Sequence, residues 1–123
     1  MAEIDNAIDF IDGCFVKKPS ETAFRRAIAY NVRVPAAVRR AIAGWSTAAP
    51  LTIDALRRVT VPVLITQGRQ DNVVLPAAAE MAARTIAHAR VSWFDDCGHS
   101  PFAEDAARFN DELAAFVMAS QRP

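Results

Sequence analysis

The order of apolar runs across residues 59–118 constrains this chain more than anything else in it. Residues 59–65 are nearly continuous in β-branched and aliphatic side chains, with Val61, Val63, Leu64 and Ile65 among them. Such a run reads as a parallel strand covered on both faces. Residues 76–87 are rich in alanine with Met81 and Ile86 and predict a helix, and residues 90–94 predict a second strand. Phe109, Leu113, Phe116 and Val117 then mark a last amphipathic helix. Strand, helix, strand, helix in close succession demands a crossover, normally right-handed, and so a parallel pair. The fold class is therefore α/β.

The preceding 50 residues have a different character and predict only helices. Ile4, Ile8, Ile11 and Phe15 form one stripe at spacings of three and four, ended near Gly13 or the Lys17-Lys18-Pro19 break. Ser20 sits where an N-cap belongs, and Phe24, Ala27 and Ile28 repeat the stripe to about Tyr30. Pro35 and Gly44 bracket a short third helix that should turn Val38, Ala41 and Ile42 inward. Thr52 can cap one further turn through Leu56.

Composition narrows the partners. In 123 residues, 52% of them apolar, fourteen basic side chains balance fourteen acidic ones without long runs of either sign. Neither nucleic acid nor an anionic membrane finds an electrostatic footprint here. No apolar stretch approaches the roughly 20 residues that span a bilayer. Cys14 and Cys97 lie far apart, and the first residues are acidic where a signal peptide is basic, which fits a reduced, cytoplasmic setting.

The chemistry should lie at the carboxyl ends of the strands, where loops converge in an open parallel sheet. The first strand runs into Gln67-Gly68-Arg69-Gln70-Asp71, and the second into Cys97-Gly98-His99-Ser100-Pro101. A carboxylate on one imidazole nitrogen fixes the tautomer and stabilises the imidazolium that forms when the other nitrogen takes a proton. Gly98 would permit a backbone conformation closed to larger residues, and Pro101 would stiffen the loop and open the last helix. Taken singly, a loop aspartate is commonly solvated or capping, and a loop histidine commonly has no role.

These residues resemble a known family. Val61-Pro62-Val63-Leu64-Ile65-Thr66-Gln67-Gly68-Arg69-Gln70-Asp71 is similar to the seventh strand and acid loop of the α/β-hydrolase fold. Cys97-Gly98-His99-Ser100-Pro101-Phe102-Ala103-Glu104 resembles its eighth strand exit, with the Gly-His-x-Pro-x-x-Glu pattern, and the order Asp then His also fits. The resemblance implies that Asp71 and His99 are the acid and the base of a catalytic triad. The helices around Asn31-Val32-Arg33-Val34-Pro35 are similar to the lid of cofactor-free members such as esterases and the non-haem chloroperoxidase-like group. The implied division is a helical lid segment over residues 1–50 and the carboxyl-terminal part of the hydrolase core over 51–123.

The family also carries earlier strands, an oxyanion-hole loop and a Gly-x-Ser-x-Gly elbow on a strand-to-helix turn. Within these 123 residues the closest string is Gly44-Trp45-Ser46-Thr47-Ala48, preceded by a helix-like segment and followed by Pro50. Ser46 is therefore read as a loop residue rather than a nucleophile. The chain is expected to be inactive alone, whether it is a fragment of a longer enzyme, a truncated product or a degenerate chain. The strand at residues 61–65, lacking a neighbour, should present an open edge suited to self-association.

Other candidates have plainer readings. Asp95, Asp96, Cys97 and His99 crowd five loop positions without zinc spacing, so no metal is assigned. Gly68 lacks the Gly-x-Gly-x-x-Gly companions of a dinucleotide loop, so no cofactor is assigned. His88 at a helix end reads as structural, Glu104 as loop support, and Trp93, Phe94 and Phe102 as core or pocket wall. The expected activity of the complete enzyme is hydrolysis of a small-molecule ester or related carbonyl compound, with haloperoxidase-type perhydrolysis also compatible. The alternative is a non-catalytic interaction module that pairs through its strand edge.

Overall fold

The computed structural model describes residues 2–44 and 49–121. Ser46 lies outside the described residues. In chain order the elements are α1 (Ala2–Gly13), α2 (Glu21–Val32), α3 (Ala36–Gly44), α4 (Ala49–Arg57), β1 (Leu64–Gly68), α5 (Pro76–Thr85), β2 (Arg90–Phe94), α6 (Pro101–Glu104) and α7 (Ala106–Ser120). The two strands pair in parallel, Leu64 opposite Arg90 through Gly68 opposite Phe94. α5 is the crossover that a parallel pair requires, with Pro76 at its first turn, where a missing N–H costs nothing.

The strand order and both loops match the sequence reading, but β1 starts later than the apolar run. The ladder opens where its partner begins, Leu64 opposite Arg90, with Arg90 N–H donating to Val63 O at 2.9 Å. Val61 is instead held by the side chain of His88, whose Nε2 lies 2.7 Å from its carbonyl. That gives His88 the structural role expected of it.

The amino-terminal helices form where predicted and turn differently. The buried positions of α1 are Ala7, Ile11 and Cys14 nearby, while Ile4 and Ile8 are exposed. Small residues set this choice, since Ala7 lets a neighbouring helix approach closely where Ile8 would hold it off. On α2, Ser20 caps Ala23 N–H at 3.3 Å, and Phe24, Ala27 and Ile28 are half-buried as expected. On α3 the expectation fails: Val38 and Ile42 are 45% and 61% exposed, and Ala41 also faces out. α4 begins three residues before Thr52, so that residue does not open it. Among the described residues, no helix is long and apolar enough to cross a membrane.

Alternation along a parallel ladder decides which backbone groups face outward. Arg90 N bonds Val63 O, and Arg69 N bonds Phe94 O at 2.9 Å. The outward groups are therefore those of Leu64 and Thr66 on β1 and of Val91 and Trp93 on β2. Arg108 of α7 blocks the second edge: its guanidinium donates to Trp93 O at 2.9 Å and to Ser92 Oγ at 3.2 Å, and lies 4.0 Å over the Phe94 ring. No described strand takes the outward groups of β1.

Phe94 and Cys97, each 1% exposed, are the most deeply buried side chains among the described residues. Phe102, read as core or pocket wall, is not core: it is 58% exposed and meets Phe109 edge to face, with ring centroids 6.2 Å apart. Phe94→Ala is expected to cost about 3–5 kcal/mol of unfolding free energy, against less than about 1 kcal/mol for Phe102→Ala. Urea unfolding followed by circular dichroism measures both.

Candidate active site

The residue that closes the site is a glycine at the end of β1. A Cβ on Gly68 would stand 2.0 Å from Gly98 O and 2.4 Å from Cys97 O. Only hydrogen fits, and so the two loops touch backbone to backbone. Around that contact Gln70 N–H donates to Cys97 O at 3.1 Å, and the Gln70 side chain to Asp95 O at 3.0 Å. Arg69 pairs with Asp95 at 2.7 Å and lies 4.4 Å over the Trp93 ring. Asp95 thus serves the loop junction. Among the described residues no group of three or more His, Cys, Asp or Glu side chains could hold a metal.

The junction delivers Asp71 to His99. Asp71 is 5% exposed, and its Oδ1 accepts the Val73 and Val74 amides at 2.8 and 2.9 Å, an aspartate turn that locks the carboxylate plane. Its Oδ2 accepts from Gln67 Nε2 at 3.0 Å and from His99 Nδ1 at 2.9 Å. Because an ionised carboxylate can only accept, Nδ1 carries the proton and Nε2 of the ring is left as acceptor. Nε2 has no hydrogen-bond partner among the described residues, and the imidazole side chain is 34% exposed.

Burial by itself would raise the Asp71 carboxyl. The Val74 amide, His99, the Val73 amide and Gln67 outweigh it and hold the group below the ordinary carboxylate value. Both cysteines go the other way: burial, followed for Cys14 by the charge of Asp71, pushes its thiol up, and burial does the same to Cys97. A thiol both buried and raised is a poor nucleophile. Cys97 is therefore packing.

Two supports were not legible beforehand. Gln67 is buried and its amide also lies 3.0 Å from Val74 O, so it ties strand, carboxylate and turn together. Its only signal is a polar side chain ending an apolar strand. The second is the segment after α1. His99 N–H donates to Cys14 O at 3.0 Å, and Gly98 would place a Cβ 3.2 Å from the same oxygen. Gly98 does not adopt positive φ, so its value here is close approach and not the conformational freedom expected of it. Glu104 supports the loop as expected, accepting Gly98 N–H at 2.7 Å. Two cavities of about 540 and 580 Å³ lie against β2 and α7 and among α1, α2 and α3; neither is lined by Asp71 or His99.

The structure thus brings a buried aspartate beyond one parallel strand into a hydrogen bond with a histidine beyond the next. The profile of the alpha/beta hydrolase family matches residues 6–112, and the chain belongs to that family. It is 46% identical over 48 residues to the pimeloyl-[acyl-carrier protein] methyl ester esterase of Aromatoleum aromaticum, covering 39% of this chain and 19% of that one. It is 30% identical over 66 residues to a proline iminopeptidase of Lactobacillus delbrueckii subsp. bulgaricus, covering 54% of this chain and 22% of that one. Among solved structures, an esterase of Rhodococcus sp. ECU1013 superposes with a TM-score of 0.77 at 26% identity, covering 95% of this chain and 42% of that one. The chain thus spans less than half the length of each. Its α/β fold, two parallel strands with flanking helices, corresponds to a portion of such enzymes.

Two outcomes follow from the geometry. Gly68→Ala should separate the two loops, lowering stability by about 1–3 kcal/mol and abolishing the low-field imidazole N–H resonance of His99. Gly13→Ala, with nothing within 4 Å of its Cβ, is the neutral control. The second concerns acid. Asp71 is lowered on folding, so it adds stability above its unfolded value of about 3.9 and loses that contribution as pH falls through its folded value. Between about pH 5 and pH 2 the urea midpoint of the wild-type chain should fall more steeply than that of Asp71→Asn.

Proposed function

We propose that this chain supplies the acid and the general base of a Ser-Asp-His hydrolase acting on a small ester or related carbonyl compound. The observation that carries this is the Asp71 to His99 Nδ1 bond, with the opposite ring nitrogen unpartnered among the described residues. In that role Nε2 takes the proton of a serine hydroxyl as it attacks the carbonyl, then returns it to the leaving group. Asp71, held ionised by its amide donors, stabilises the imidazolium between those steps. Residues 1–50 serve as a helical lid and 51–123 as core. The chemistry needs no cofactor or metal, acts on a small molecule in the cytoplasm, and involves neither nucleic acid nor membrane. Perhydrolysis of the haloperoxidase kind uses the same pair.

The serine and the oxyanion donors come from outside these 123 residues. Loss of one such donor costs about 10²–10³ in rate, so the chain alone is inactive. A second reading, an interaction module, is favoured by the difference between the sheet edges: β2 is blocked by Arg108, while no described strand takes the outward backbone groups of Leu64 and Thr66 on β1.

Hydrolysis of p-nitrophenyl acetate tests both. The isolated chain is expected to be no faster than its His99→Ala variant. Seated in place of the matching portion of the Rhodococcus esterase, it should restore hydrolysis that Asp71→Asn lowers by about 10⁴. Activity of the isolated chain lost in both His99→Ala and Ser46→Ala would move the nucleophile to Ser46. A defined dimer, with no hydrolysis in either setting, would favour the interaction module.

A further inference from the structure

The carboxylate of Glu104 is shared between two parts of the chain that sequence keeps far apart. Oε1 accepts Gly98 N–H at 2.7 Å, in the histidine loop. Oε2 accepts Val16 N–H at 2.7 Å and Lys17 N–H at 2.8 Å, in the connection that leaves α1. Bonds from backbone amides to an ionised carboxylate are roughly twice as strong as neutral ones. Three of them converge here on one side chain.

The same two segments meet twice more. His99 N–H donates to Cys14 O at 3.0 Å, and a Cβ on Gly98 would lie 3.2 Å from that oxygen and 3.4 Å from Val16 Cγ2. Every link on the His99 side is to backbone at residues 98 and 99, whereas Asp71 grips the imidazole. The histidine therefore has two separate anchors, one for its ring and one for its main chain. The second is built on the connection between α1 and α2.

We propose that Glu104 is a positioning residue that latches the α1–α2 connection to the histidine loop, so that displacement of the amino-terminal helices is transmitted to the imidazole of His99. The functional weight of the latch rests on His99 acting as general base; the mechanical coupling does not. Glu104 touches no reacting atom. It acts through the Gly98 amide on one side and the Val16 and Lys17 amides on the other. Because coupling between two sites is reciprocal, loosening the Asp71–His99 pair must also loosen Val16 and Lys17. A clip that merely pins α6 would leave those amides indifferent to Asp71.

The test is amide hydrogen exchange and ¹⁵N NMR on the whole 123-residue chain, as wild type, Glu104→Gln, Glu104→Ala and Asp71→Asn. In Glu104→Ala, exchange at Val16, Lys17 and Gly98 should accelerate about ten- to a hundredfold, and the His99 Nδ1–H resonance should broaden. Glu104→Gln keeps one acceptor oxygen and should preserve protection on one side of the latch only. In Asp71→Asn, Val16 and Lys17 should exchange faster although neither touches residue 71, while amides in the second half of α7 stay unchanged. Unaltered exchange at Val16 and Lys17 in Asp71→Asn overturns the latch, and does so even if the Glu104 variants fail to fold. A wild-type spectrum with no low-field His99 signal would sink the paired Asp71–His99 reading instead. That signal present, and unmoved by Glu104→Gln, would sink the latch alone.

Discussion

The contact of Gly68 with the carbonyls of Cys97 and Gly98 is the constraint on which the site depends. Two strands that run side by side bring their exit loops near each other, but not near enough for a carboxylate to reach an imidazole unless one loop can lie against the other. With hydrogen in place of a side chain at Gly68, the loops close to backbone contact. The Gln70 bonds to Cys97 O and Asp95 O then hold them shut. Asp71 and His99 are separated by 28 positions in the chain and 2.9 Å in space because of that closure.

Two carboxylates do the electrostatic work, and both do it by collecting backbone N–H groups. Asp71 gathers Val73 and Val74 and is thereby kept ionised in spite of burial. Glu104 gathers Val16, Lys17 and Gly98. Such bonds cost little conformational entropy, since the donors are already ordered by the turns they belong to. They also make each acid sensitive to displacement of main chain rather than of neighbouring side chains. A short carboxylate suits a single tight turn, and the longer Glu spans two segments.

The sheet itself is less finished than the site. β1 and β2 are mostly half-buried, and the apolar faces of α1 and α3 leave Ile4, Ile8, Phe10, Val38 and Ile42 in contact with water. Arg108 protects one sheet edge with a guanidinium, and no described strand pairs with the other edge at Leu64 and Thr66. A core this thin draws much of its order from polar links: His88 to Val61, Arg69 to Asp95, Arg108 to Ser92, Trp93 and Glu112. Polar links of this kind fix register and direction well, while hydrophobic burial supplies the larger share of stability.

By itself the sequence determined what local pattern determines: the strand at residues 90–94, the crossover helix behind Pro76, the Ser20 cap, and the placing of Asp71 and His99 just beyond their strands. Period, turn chemistry and the Gly-His-x-Pro-x-x-Glu pattern act over a few residues and can be read there. It overstated β1, because an apolar run does not reveal where its partner strand begins, and the ladder opens only at Leu64 opposite Arg90. It misplaced the inward faces of α1 and α3, because a helix with apolar residues on several sides is oriented only by what it packs against. Tertiary structure alone decided that Gln67 braces Asp71, that Gly98 serves by close approach, and that Cys14, Val16 and Lys17 hold the histidine loop. Those last links run through main-chain atoms, which every residue carries alike, and so they leave no mark on the order of side chains.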